Sequence, residues 1–262
     1  MKEKYFKTFD EFSGFLEKIR YDNRIILFRG QKDDYPLQSK FYRKISISSV
    51  IKEGWELERS IFNTFKEEYS KFDRNYSIVN DWETLAIAQH YGLPTRLLDW
   101  TSDPFIALWF AFESDFKEKK DQDYRVVWGL IVEDDHLADL SQTPIFSGRF
   151  VKVFQPQVNN ERIKSQKAWL SAQNIDFFKG QAYSNFPPSL SINKPMNEDE
   201  DYEFSLAKFK FPDKMRVEFL KKLNEIGINH YSLFPDLNGL CKHIEWEFFH
   251  QNIHKYLVNN FQ

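Results

Sequence analysis

Phe105 to Phe112 reads Phe-Ile-Ala-Leu-Trp-Phe-Ala-Phe, a run without a single polar side chain. Ser102 or Asp103 can cap it and Pro104 falls near its first helical position, so the run is a helix. A helix that is apolar on every face must be buried on most sides. The rest of the chain therefore has to build layers around it.

The pattern supplies those layers. Thr8-Phe9-Asp10-Glu11 reads as a capping box, and Phe9, Phe12, Phe15, Leu16 and Ile19 form one apolar stripe behind it. Leu57, Ile61, Phe65 and Tyr69 recur among charges from Trp55 to Phe72, as in a surface helix. A further helix spans about Asp81 to Tyr91 and stops at Gly92 and Pro94. Arg24 to Phe28, Arg125 to Val132, Phe150 to Phe154 and Ala207 to Phe211 read as strands, the first leaving Arg29 at its exit. Asp213 is expected to cap a helix carrying Met215, Phe219, Leu223 and Ile226, and a last helix runs from about Leu237 to Leu257. Segment 186–202, rich in proline and acid, reads as a mobile loop, so 1–262 is expected to be one domain of the α+β class.

Composition narrows the function classes. One cysteine, Cys241, excludes an internal disulfide and any Cys-based zinc site, which fits a reducing, cytoplasmic compartment. No apolar run is long enough for a membrane span. Thirty-six basic against 39 acidic side chains, a formal net charge of -3, does not describe a general nucleic-acid binder.

The chemistry concentrates in two places. Gln89-His90-Tyr91-Gly92-Leu93-Pro94-Thr95-Arg96-Leu97-Leu98-Asp99-Trp100-Thr101-Ser102 sets polar groups between two apolar helices. Left unpartnered in the interior, each would cost about 1–3 kcal/mol, so they satisfy one another or bind something. On the plain structural account Arg96 pairs with Asp99, Thr101 and Ser102 cap a helix, and His90 is a satisfied core histidine. On the functional account His90 and Asp99 are acid/base candidates, since burial beside an arginine tunes such groups. The second place is Arg29, flanked by Phe28, Gly30 and Gln31, where backbone can approach a guanidinium suited to bidentate recognition of phosphate or carboxylate.

Phe28-Arg29-Gly30-Gln31, Leu85 to Ala111, Arg162-Ile163-Lys164-Ser165-Gln166 and Leu233-Phe234-Pro235-Asp236 together resemble the FRG domain, named for its Phe-Arg-Gly tripeptide. A more distant resemblance links Arg29 and Trp100 to Ala111 to mono-ADP-ribosyltransferases of the arginine-serine-glutamate type. It implies a fold of mixed, largely antiparallel central sheets with flanking helices, and NAD as substrate. ADP-ribose would pass to a macromolecular target, protein or nucleic acid, or NAD would be hydrolysed, as in a toxin or anti-phage effector. It also implies that Arg29, Gly30, Gln31, Gln89, Arg96, Thr101 and Ser102 hold the dinucleotide.

The family's glutamate has no clear counterpart in this chain. Glu161 and Gln166 lie nearest in order of elements, while Glu245-x-Glu247 falls on a helix whose residues two apart diverge. A non-catalytic module binding nucleotide, nucleic acid or protein is the rival, with Trp55, Trp82, Trp100, Trp109, Trp128, Trp169 and Trp246 as stacking surfaces. A metal-dependent hydrolase or nuclease ranks third. His90, Asp99 and Asp103 form no ligand motif, and His250 and His254 lack a carboxylate nearby.

Overall fold

The computed structural model describes residues 2–19, 24–47, 54–72, 80–113, 123–146, 151–157, 161–172, 195–198 and 205–251. It opens on a strand the sequence does not announce. In β1 (Lys2–Tyr5) all four residues are exposed, so no apolar alternation marks it. α1 (Phe9–Ile19) makes half of its predicted capping box: Thr8 Oγ1 accepts the Glu11 N–H at 3.2 Å, while the Glu11 carboxylate takes the N–H of Lys7, one residue before the cap, at 2.8 Å.

β2 (Ile25–Gln31) continues past Phe28, so Arg29 stands inside the strand and not at its exit. α2 (Lys40–Ile47), α3 (Gly54–Phe72) and α4 (Asp81–His90) follow, α4 capped by the Asn80 side chain on the Glu83 N–H. The polar segment after α4 is a strand, β3 (Leu97–Thr101). Then come α5 (Pro104–Phe112), β4 (Tyr124–Val132), β5 (Lys152–Phe154), α6 (Glu161–Ser165), β6 (Ala168–Ala172) and β7 (Leu206–Pro212). α7 (Arg216–Glu225), α8 (His230–Leu233) and α9 (Leu237–Trp246) close the order, α9 running on into a π-helical turn at Glu247–Gln251.

One expectation needs correction here. Asp213 does not cap α7; its carboxylate takes the Nε–H of buried Arg125, and a 3₁₀ turn at Asp213–Met215 leads into the helix. The mobile-loop expectation for 186–202 falls mostly outside the described residues; the part that is described, 195–198, holds a 3₁₀ turn with the Leu37 N–H donating to Asn197 Oδ1 at 2.6 Å and Met196 buried. Phe150, the helix beyond 251, and the side chains of Trp55, His250 and His254 lie outside the described residues.

Among the described residues the strands make one seven-stranded mixed sheet in the order β1-β7-β4-β2-β3-β6-β5. Every pairing is antiparallel except β1 with β7. Strand alternation sorts the core onto two faces. Phe28, Val127, Phe209 and Phe211 pack with α1, α5 and α7, whereas Leu27, Val126, Trp128 and Leu206 pack with Leu98, Trp100 and Met196. A third cluster joins Trp82, Leu85 and Ala86 of α4 to Leu97, Phe154 and Leu170 at the β3-β6-β5 end. As its composition demands, α5 is enclosed, with Ile106, Ala107, Leu108, Trp109, Ala111 and Phe112 buried.

The pairing is uneven in one place. β2 meets β4 along its whole length, but β2 and β3 share a single register pair, Phe28 with Thr101. The sheet parts there, and the cleft described next lies in the parting. No described helix is long and apolar enough to cross a membrane.

Candidate functional site

Each residue of Phe28-Arg29-Gly30-Gln31 has a separate task set by strand alternation. Phe28 is core. Gly30 sits against α5 so closely that a Cβ would lie 1.9 Å from the Ala107 carbonyl oxygen and 2.7 Å from the Ala111 nitrogen. Only a residue without a side chain lets that helix lie on that strand. Gln31, buried, accepts the Trp128 indole N–H at 2.8 Å. Arg29 is left to face the parting, where its Nη1 donates to the Asp99 carbonyl at 2.6 Å across the place where ladder hydrogen bonds would otherwise run.

Gly30→Ala is therefore expected to cost about 1–3 kcal/mol or more, because backbone and not a flexible side chain must yield. A shift in the denaturant midpoint reads this directly. An unchanged midpoint would mean that α5 is not seated as described.

The cleft has a volume of about 410 Å³, within the range of small-molecule sites. Its wall brings together seven of the residues expected from sequence: Arg29, Gly30, Gln89, His90, Asp99, Thr101 and Gln166. Four others are not on it. Gln31 is committed to Trp128. Arg96 is buried against Glu58 of α3, with Nε 3.0 Å from each carboxylate oxygen and Nη2 at 2.6 Å, so the expected pairing with Asp99 is wrong. Ser102 is exposed and does not cap α5; Asp103 does, accepting the Phe105 and Ile106 N–H groups, while Thr101 Oγ1 accepts the Asp103 N–H at 3.1 Å. Glu161 is exposed, 3.4 Å from Lys164 one turn along α6.

Asp99 is held from two sides. Gln89 Nε2 donates to its Oδ1 at 2.7 Å, and the Gln89 side-chain oxygen Oε1 in turn accepts from the Thr95 hydroxyl. Its second oxygen lies 3.8 Å from Arg29 Nη1, and 70 % of the side chain is exposed toward the cleft mouth and solvent. It is the sole carboxylate among the described residues of the cleft wall. Gln166, by contrast, is structurally engaged: its amide Nε2 donates to the Leu233 carbonyl at 3.1 Å, a bond a glutamate could not make.

The local charge is positive. Arg29 has a side-chain exposure of only 19 %, and its buried Nε–H has no partner among the described residues. Burial drives its guanidinium below the usual arginine value, with Asp99 opposing and Arg43 adding, yet an arginine stays charged. His90, at the end of α4, is shifted down by burial first and by Arg162 second, so its imidazole is neutral at pH 7 and able to accept a proton. Among the described residues no group of three or more His, Cys, Asp or Glu side chains could hold a metal ion.

Arg162, in one of the stretches carrying the family resemblance, also lines the wall. Its guanidinium lies over the Phe234 ring at 4.2 Å, a pairing across 72 positions that no local pattern reveals. Of the tryptophans offered as stacking surfaces, Trp82, Trp100, Trp109 and Trp128 are buried core.

Residues 24–120 match the family model of the FRG domain. The match takes in Phe28 to Gln31 and the whole of Gln89 to Ser102, a little over a third of the chain, and ends before Arg162 to Gln166 and Leu233 to Asp236. No curated protein and no solved structure shows significant similarity to the chain.

Proposed function

We propose that the chain, carrying its FRG domain match over residues 24–120, uses the cleft between β2 and β3 to bind NAD and to break the bond between nicotinamide and ribose. ADP-ribose then passes to a macromolecular target or to water, chemistry suited to a toxin or anti-phage effector. The observation that carries this reading is Arg29: an enclosed cation, its Nε–H without a partner among the described residues, lining a cleft of ligand size. A buried donor without a partner loses about 1–3 kcal/mol, and a bound phosphate or ribose oxygen restores it.

The residues divide the work. Arg29 anchors the dinucleotide and Thr101 braces the strand end beside it. Leaving nicotinamide makes the ribose an oxocarbenium-like cation, which a fixed carboxylate in a partly enclosed site stabilises. Asp99 takes that part, since it alone among the described wall residues carries a carboxylate. Neutral His90 accepts the proton from the attacking water or target hydroxyl.

Titration calorimetry with NAD tests the anchor. Arg29→Ala is expected to weaken NAD by about ten- to a hundred-fold while the protein stays folded, with Arg29→Lys recovering only part because an ammonium lacks the planar fork. An unchanged affinity in folded Arg29→Ala removes the site assignment. A second reading has its own support. Gln166 stands where an acid is expected, so a binder that holds NAD without turnover would show the same Arg29 dependence but release no nicotinamide from labelled NAD.

A further inference from the structure

We infer that Lys167 is a positioning residue of the cleft: its ion pair with Asp103 holds α6, which supplies part of the wall, against the start of α5. The inference deepens the nucleotide reading, on which its affinity test rests, and it has a second test that needs no nucleotide.

The backbone gives the first sign. Lys167 comes two residues after the end of α6 and has φ 47, the one non-glycine residue in the left-handed region among the described residues. A helix that ends in this way normally places glycine there, because a Cβ is disfavoured in that conformation. The Lys167 N–H donates to the Lys164 carbonyl at 3.0 Å, a bond glycine would make as well. Backbone shape therefore does not call for lysine. The reason for it lies in the side chain.

Lys167 Nζ lies 2.8 Å from Asp103 Oδ2, and the Lys167 carbonyl accepts the Ser102 N–H at 3.2 Å. Asp103 is only 17 % exposed, and its other oxygen caps α5 through the Phe105 and Ile106 N–H groups. One carboxylate thus joins two parts of the wall. On one side is α5, with Ala107 and Phe110 in the cleft; on the other is the residue between Gln166 and Ala168, which line it too.

The hydrophobic core holds α6 weakly. It is five residues long and buries none of them, yet it carries Arg162 and Ile163 of the wall and leads directly into Gln166. Ser165 Oγ and Gln166 Nε2 tie this stretch to the Leu233 carbonyl, and Lys167 ties its exit to α5. Releasing Lys167 should loosen the wall and leave the fold intact, the behaviour of a segment with few buried apolar contacts.

The test uses Lys167→Gly, which keeps the left-handed turn at no steric cost and removes the ion pair, and Asp103→Asn, whose amide oxygen still caps α5. Each thermal midpoint is expected to stay within about 3 °C of wild type. Hydrogen exchange at the Gln166 amide should quicken by about three- to ten-fold, and NAD should bind more weakly by the same factor in calorimetric titration, the range of one charge-assisted contact. The double variant should be no worse than either single one, since both remove the same contact. Unchanged exchange in both single variants, additive losses, or midpoints lowered by about 10 °C or more would each overturn the inference. Quickened exchange with NAD affinity untouched would overturn the positioning role and leave the nucleotide reading in place. Quickened exchange in a chain that binds no NAD would keep the Lys167 clamp and remove that reading.

Discussion

Glu58→Ala is expected to lower the unfolding free energy by about 3–5 kcal/mol, the usual cost of removing one partner from a buried ion pair. Domains of this kind are stable by about 5–15 kcal/mol in total, so the variant would sit near the edge of folding at 37 °C. The reason is local and complete. The Arg96 guanidinium has 3 % side-chain exposure, and Glu58 takes its Nε–H, its Nη2–H and the Arg96 backbone N–H as well. Truncation strands a cation and a backbone donor together, the cation lying over the Phe146 ring at 4.8 Å.

Urea unfolding of the single and double variants separates the terms. Replacing both partners, Glu58→Met with Arg96→Met, removes the stranded charge and should recover most of the loss, because apolar replacement of a buried pair is often neutral. It should not recover all of it. The backbone N–H of residue 96 still has no acceptor, leaving about 1–3 kcal/mol outstanding. A Glu58→Ala protein as stable as wild type would mean the pair is not buried.

That pair also shows where sequence legibility ended. The apolar run of α5 could mean only a buried helix, and the Thr8 cap of α1 and the Gly92 stop of α4 are local signals that held. Gly92 has φ +92, so the helix end named from sequence uses the left-handed conformation glycine allows. Arg96 instead finds its partner 38 residues back on a helix whose register no pattern fixes, and its neighbour in sequence, Asp99, looked nearer than it is. β3 was hidden for another reason. In Leu97 to Thr101 the neighbours Leu97 and Leu98 are both buried, Leu97 with Trp82 and Leu98 with Trp100, so the strand covers both faces and shows no clean alternation. The site itself was legible where one short segment supplied several wall residues, and illegible where the wall came from α6 and its Phe234 seat.

Asp99→Asn is expected to cut nicotinamide release on the order of 100- to 1,000-fold while NAD affinity stays within about threefold, the signature of a group that acts in the transition state and not in binding. The substitution is nearly isosteric, and an asparagine oxygen can still accept from Gln89 Nε2, so the strand and the Arg29 contact to the residue-99 carbonyl are kept. What disappears is the charge. Glu161→Gln should change nothing, since Glu161 is exposed on α6 away from the wall, and that contrast separates a cleft carboxylate from a general loss of acidity. Gln166→Glu makes the opposite point. It puts an acid where the ADP-ribosyltransferase resemblance implies one, but a carboxylate cannot donate to the Leu233 carbonyl, so it should loosen α6 without raising the rate. If instead Gln166→Glu accelerates release and Asp99→Asn does not slow it, the acid belongs after α6 and the chain has given up catalysis there in exchange for a tether.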